Sequence, residues 1–207
     1  MPNLTAIDVA ILPPDNVAER TIALNRALPA AEGKGLRLDA EHLPHVTLVQ
    51  QFVRTDELDV AGEQIEAVIR ETGSLPIVIS GGGHSGGTVW LTVEPTRELA
   101  QLHERLMHAL HGVARAGGTA SAFAERPRPG DVVWVTTYRA KAAFGAFTPH
   151  ITLGHAKQPP HVEPFRFDAA TVALCQLGRF CTCRRVLRRW TLSGSAPAQP
   201  GRRRPTA

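Results

Sequence analysis

Pro44-His45-Val46-Thr47-Leu48 and Pro149-His150-Ile151-Thr152-Leu153 are two nearly identical pentapeptides in one chain of 207 residues. On a β-strand successive side chains alternate faces. Each histidine then shares a face with its threonine, roughly 7 Å away, while Val46 and Leu48, or Ile151 and Leu153, turn into a core. A lone His-x-Thr reads as the solvated face of a half-buried strand. Two copies, each led by proline, read instead as a matched pair that brings two imidazoles and two hydroxyls to one concavity. That set suits an anionic centre from which a proton is taken on one side and to which one is given on the other. A phosphodiester is such a centre.

The paired H-[VI]-T-L stretches, in a chain of this length, resemble the 2H phosphoesterase superfamily, specifically its 2′-5′ RNA ligase and cyclic phosphodiesterase branch. The resemblance runs from the strand-like Leu4 to Leu12 to a last strand-like run ending near Leu192. The duplicated tetrad is its specific part, and the remainder matches as a pattern of elements. It implies an α+β fold of two lobes related by duplication: two mostly antiparallel sheets, helices outside, a cleft between. It implies His45, Thr47, His150 and Thr152 as catalytic residues, no metal and no other cofactor, and as partner an RNA end or a small cyclic nucleotide. Gln50-Gln51-Phe52, the run Gly81 to Gly87 and the arginine-bearing C-terminal segment have no counterpart to carry over. The substrate is left open among an RNA end, a small cyclic nucleotide, a 2′-5′-linked oligonucleotide and ADP-ribose 1″,2″-cyclic phosphate.

The totals are those of an ordinary globular chain, with 43% hydrophobic and 20% charged residues. The net charge of +4 and pI near 9.4 are compatible with a phosphate-bearing ligand, and part of the excess lies in Arg202-Arg203-Arg204. Residues 1–193 are expected to form a single two-lobed domain and 194–207, rich in Pro, Ala and Arg, a disordered basic tail. Cys175, Cys181 and Cys183 are odd in number, and Cys181-x-Cys183 is not zinc spacing, so they read as small buried or half-buried thiols. No stretch has the ~18 apolar residues of a membrane span, and the N-terminus has no signal-peptide pattern. A soluble, cytoplasmic monomer is expected.

Along the chain, Ala6 to Leu12 is a buried strand with one polar intruder, Asp8, closed by Pro13-Pro14. Helices are expected over Asp15 to Leu24, Asp56 to Glu71 and Arg97 to Ala116, the last capped by Thr96 and carrying solvated His103, His108 and His111. His103-Glu104 fails the His-Glu-x-x-His zinc pattern because His108 comes one residue late. Leu36 to Leu38, Leu75 to Ser80, Thr88 to Val93 and Val132 to Thr136 read as strands. Gly81 to Gly87 reads as a hairpin loop without P-loop context, and Gly117 to Gly130 as a long mobile connection whose Phe123, Arg126 and Arg128 could serve a substrate. Phe165 to Phe167, Thr171 to Leu177 and Val186 to Leu192 complete the strands. Arg184, Arg185, Arg188 and Arg189 make the last one a charged edge.

Opening a 2′,3′-cyclic phosphate requires a deprotonated water, a stabilised pentacovalent phosphorus and a protonated leaving ribose oxygen. Histidine alone titrates near neutrality, so one copy can take a proton while the other gives one. His150 is assigned as base and His45 as acid, with Thr47 and Thr152 donating to the non-bridging oxygens. Reversal of the roles would give 2′-5′ ligation. Two rivals remain: a non-catalytic RNA- or nucleotide-binding module using the same cleft, and a histidine-dependent metalloenzyme.

Overall fold

A computed structural model describes residues 3–192. The expected basic tail lies outside them. Eight strands and four α-helices follow in the order β1 (Leu4–Leu12), α1 (Asp15–Arg26), β2 (Val46–Arg54), α2 (Leu58–Arg70), β3 (Leu75–Ser85), β4 (Thr88–Val93), α3 (Arg97–Ala109), α4 (Pro129–Lys141), β5 (His150–His155), β6 (Phe165–Ala169), β7 (Thr171–Leu177) and β8 (Cys183–Thr191). They build two four-stranded antiparallel sheets, β2-β1-β7-β8 and β5-β4-β3-β6. The lobes are therefore not the two halves of the chain. The β7-β8 hairpin returns to complete the first sheet, and its last strand is the expected charged edge, with Arg185, Arg188 and Arg189 exposed.

The duplication is visible residue by residue in the strand pairing. Against β1, Ile11 faces Val46, Ala10 faces Thr47, Val9 faces Val49 and Asp8 faces Gln50, so Leu48 is bulged out of register. Against β4, Leu91 faces Ile151, Trp90 faces Thr152, Val89 faces Gly154 and Thr88 faces His155, so Leu153 is bulged in the same place. A bulge bends and twists its strand and frees a backbone carbonyl from the ladder. Side chains from across the molecule capture both freed carbonyls. Nδ1 of His103, on α3, donates to Leu48 O at 2.6 Å, and Nδ2 of Asn25, on α1, donates to Leu153 O at 2.6 Å.

Several local expectations are corrected, each for a physical reason. Leu36 to Leu38 forms no strand, because the Asn25 side chain serves as its partner: Leu38 N donates to Oδ1 at 3.0 Å and Nδ2 donates to Leu36 O at 3.3 Å. Gly81 to Ser85 belongs to β3 rather than to a loop, and the turn is only Gly86-Gly87. Val132 to Thr136 is helical, within α4. Pro129 starts that helix, the Asp131 carboxylate accepts from Arg128 N at 2.8 Å, and Asp131, Val135 and Tyr138 line its buried face. Gly117 to Gly130 is packed: Phe123 is buried edge-on against Phe52, and Ala124 N donates to Leu177 O at 2.8 Å. Arg126 is exposed. His103 is fully buried, not solvated, whereas His108 and His111 are exposed as expected.

Candidate active site

Each H-x-T strand is the edge of its own sheet, and the two edges face each other. Between them lies a cleft of about 630 Å³ lined by His45, Thr47, His150 and Thr152 together. The structure thus gathers all four sequence-nominated residues in one place. His45 sits immediately before β2 and His150 is the first residue of β5, each at the point where the chain enters its sheet.

The two imidazoles are held alike. Nδ1 of His45 donates to Leu43 O at 2.8 Å, and Nδ1 of His150 donates to Thr148 O at 2.8 Å. A carbonyl can only accept, so both rings carry their proton on Nδ1 and keep Nε2 for the cleft. Burial pushes both histidines below their ordinary value. The carbonyl bonds oppose this, and the nearby charge of His45 lowers His150 further. That last influence is an electrostatic sign that the two rings share one neighbourhood.

Asp8, the polar intruder of β1, is fully buried beside them. Its Oδ2 accepts from Thr47 Oγ1 at 2.8 Å and from Gln50 Nε2 at 2.7 Å, and lies 3.5 Å from His45 Nε2. Burial pushes its carboxyl up to about 7, against the lowering effect of the Gln50 and Thr47 bonds. Asp8 and His45 are close enough to be an ion pair, while burial disfavours the charge on each. The proton of Thr47 is turned to Asp8, while Thr152 makes no side-chain hydrogen bond among the described residues.

Aromatic groups form the remaining walls. Trp90 tilts against His150 with centroids 5.5 Å apart, and Trp134, Phe147 and Phe180 also line the cleft. Phe180 holds a left-handed backbone, φ 61°, with its N–H given to Asp131 Oδ2 at 2.9 Å and Arg128 stacked over its ring at 3.9 Å. Arg128 is the one Lys or Arg of the lining among the described residues, and it is tied to Asp131. His155 ends β5 in the cleft wall with its buried Nδ1 unpartnered among the described residues.

Donor atoms of Asp8, His45 and Cys183 lie within 4.8 Å of one another, a spacing a metal ion could use. In this arrangement Thr47 and Gln50 occupy Asp8 Oδ2, and burial pushes the Cys183 thiol up, keeping it protonated. Sequence reasoning passed over Asp8, Gln50, Trp90, Tyr138, His155 and Phe180. Only Asp8 carried a signal, as the single acid in an aliphatic strand. The three cysteines are free thiols, two buried and one half-buried, as expected. Among the described residues no helix is long and apolar enough to cross a membrane.

Solved structures share this fold. The apo form of E. coli LigT superposes with a TM-score of 0.61 at 19% identity, covering 92% of this chain and 98% of that one. TT0787 of Thermus thermophilus gives 0.63 at 18%, covering 93% and 100%. E. coli LigT complexed with 3′-AMP gives 0.61 at 18%, covering 92% and 99%. No curated protein matches the chain. The sequence model of the 2′-5′ RNA ligase superfamily matches residues 13–175, a span that includes both His-x-Thr strands. By that match, and by the duplicated sheets that carry the motif, the chain belongs to the 2′-5′ RNA ligase superfamily of 2H phosphoesterases.

Proposed function

We propose that this chain is a metal-independent phosphodiesterase that opens 2′,3′-cyclic phosphates of RNA ends or nucleotides by two-histidine acid–base catalysis, with 2′-5′ ligation when a 5′-hydroxyl attacks the cyclic phosphate in place of water. The observation that carries this reading is the convergence of His45, Thr47, His150 and Thr152 on one cleft, with both rings pinned through Nδ1. His150, driven toward its neutral form by burial and by its partner, takes the proton of the attacking water. His45 protonates the leaving ribose oxygen. The hydroxyl of Thr152 is available to donate to a non-bridging oxygen as charge grows there. Aromatic walls at Trp90, Trp134, Phe147 and Phe180 suit the base of a nucleotide, and E. coli LigT has been solved with 3′-AMP.

The test is hydrolysis of a 2′,3′-cyclic nucleotide and of an oligonucleotide with a 2′,3′-cyclic end. Replacing His45 or His150 by Ala is expected to lower turnover by about 10²- to 10⁴-fold each with the fold intact, and the rate against pH to be bell-shaped. Activity is expected to survive EDTA. Tight binding with no change of the end group, in the unaltered protein, would make the chain a binding module instead.

A further inference from the structure

The two His-x-Thr strands are so nearly copies that nothing in the motifs themselves distinguishes an acid from a base. Their neighbours do. In the strand pairing, the position next to His45-x-Thr47 that is held by Asp8 and Gln50 is held next to His150-x-Thr152 by Thr88 and His155. The ladder position that gives the first copy a buried carboxyl beside its imidazole is thus held in the second copy by a threonine, Thr88.

We propose that Asp8 is the positioning residue that gives the two copies different tasks: its carboxyl, anchored by Thr47 and Gln50 and 3.5 Å from Nε2 of His45, makes His45 the proton donor and leaves His150 the acceptor. This rests on the two-histidine reading above. Asp8 is buried behind the cleft lining and acts through His45. When His45 takes up a proton, the neighbouring carboxylate offsets a charge that burial alone disfavours. The 3.5 Å separation is too long for a good hydrogen bond, so the carboxylate acts on Nε2–H⁺ through its charge. In turnover the water O–P bond forms as its proton passes to Nε2 of His150. The ribose O–P bond breaks as Nε2–H of His45 gives its proton to the departing oxygen, and both rings then exchange with solvent.

The groups facing Asp8 from every side are few. Thr47, Gln50 and His45 come from β2 and its approach, Tyr138 from α4, Cys181 from the turn before β8, Cys175 from β7, directly opposite, and Cys183 from β8. None of these is a lysine or arginine, and His45 is the one that can carry the compensating positive charge. Gln50 donates from Nε2 at 2.7 Å and holds Oδ2 in place.

The experiment compares a 2′,3′-cyclic nucleotide with its bridging-sulfur analogue, whose thiolate departs without being protonated. His45→Ala should lose activity on the oxygen substrate and recover on the sulfur one, and His150→Ala should lose both. Asp8→Asn, which keeps size and polarity, should follow His45→Ala in milder form: about ten- to a hundredfold down on oxygen, as for loss of one neighbouring opposite charge, and within about threefold of the parent on sulfur. Asp8→Thr, which copies the Thr88 neighbourhood, should do the same and serves if the Asn variant folds poorly. Equal losses on both substrates would reduce Asp8 to a structural residue and overturn the proposal, as would no loss on either. Sulfur rescue of His150→Ala in place of His45→Ala would reverse the assignment. If both histidine variants stayed active on the oxygen substrate, the two-histidine reading itself would fail, a result distinct from any of these.

Discussion

At the scale of single residues, Asp8 is where stability and chemistry pull apart. Its carboxyl titrates near 7 in the fold against an ordinary 3.8. Between those values the native state holds a proton that the unfolded chain has already released, so stability falls as pH rises through that window. At pH 8 the buried charge costs roughly 4 kcal/mol, three units at about 1.4 kcal/mol each. Asp8→Asn removes that cost, so its melting temperature should exceed the parent's at pH 8 and gain little or nothing at pH 5. Equal shifts at both pH values would show that the carboxylate is not the source. The buried histidines work in the opposite direction: His45, His103 and His150 are all held below their ordinary value, and the stability they contribute is lost as pH falls through the usual imidazole range. The four motif residues were legible because the same spacing occurs twice. Asp8 was visible only as an anomaly, since its meaning depends on Gln50 and Thr47 lying across the ladder, and pairing register is not written in either strand alone.

At the scale of elements, the strands carrying the motif were readable from alternation, while the glycine run and α4 were not. Five β-branched residues among Val132 to Thr137 imitate a strand. In the fold Thr136 and Thr137 turn their hydroxyls back to Val132 O and Val133 O at 2.8 and 2.9 Å, and the buried face decides for helix. The glycines looked like a loop because a strand gains nothing from missing side chains unless something else needs the room. Here it is Trp90. Gly83 stands opposite it, and a Cβ on Gly83 would lie 2.4 Å from Trp90 Nε1 and 2.9 Å from Thr92 Oγ1. The indole lies across the bare strand and meets His150 from there. Gly83→Ala should therefore displace Trp90, cost about 1 to 3 kcal/mol as overpacking does, and lower turnover through His150 with no change in the residues that carry protons. Denaturant midpoints and Trp fluorescence would register the first two effects, and an unshifted midpoint with full activity would show that the indole has room elsewhere.

At the scale of the whole molecule, a site shared by two edge strands from different sheets needs a fixed gap between them, and no hydrogen-bonded ladder among the described residues spans that gap. The connection is instead made crosswise by helices. The helix between β1 and β2 packs on β5, and a helix between β4 and β5 packs on β2. Each delivers one buried polar side chain to the carbonyl that the facing bulge has released: Asn25 to Leu153, His103 to Leu48. His103 completes its pairing by accepting from Phe144 N at 2.8 Å, which fixes it as a neutral ring with both nitrogens used. Asn25 also holds the 36–38 segment, whose Leu36 and Leu38 line the cleft. Replacing Asn25 by Ala leaves Leu153 O and Leu38 N buried without their partners, at roughly 1 to 3 kcal/mol for each group. The loss should appear twice: as a lower unfolding midpoint, and as slower turnover, because β5 and its His150 are no longer held in place against His45. Since no proton-carrying group is touched, the limbs of the pH–rate profile should stay where they are, and the bridging-sulfur substrate should not restore the rate. Restoration by sulfur would mean that Asn25 acts on the proton donor; an unchanged rate with a lowered midpoint would mean that the sheets hold their spacing without the clamp.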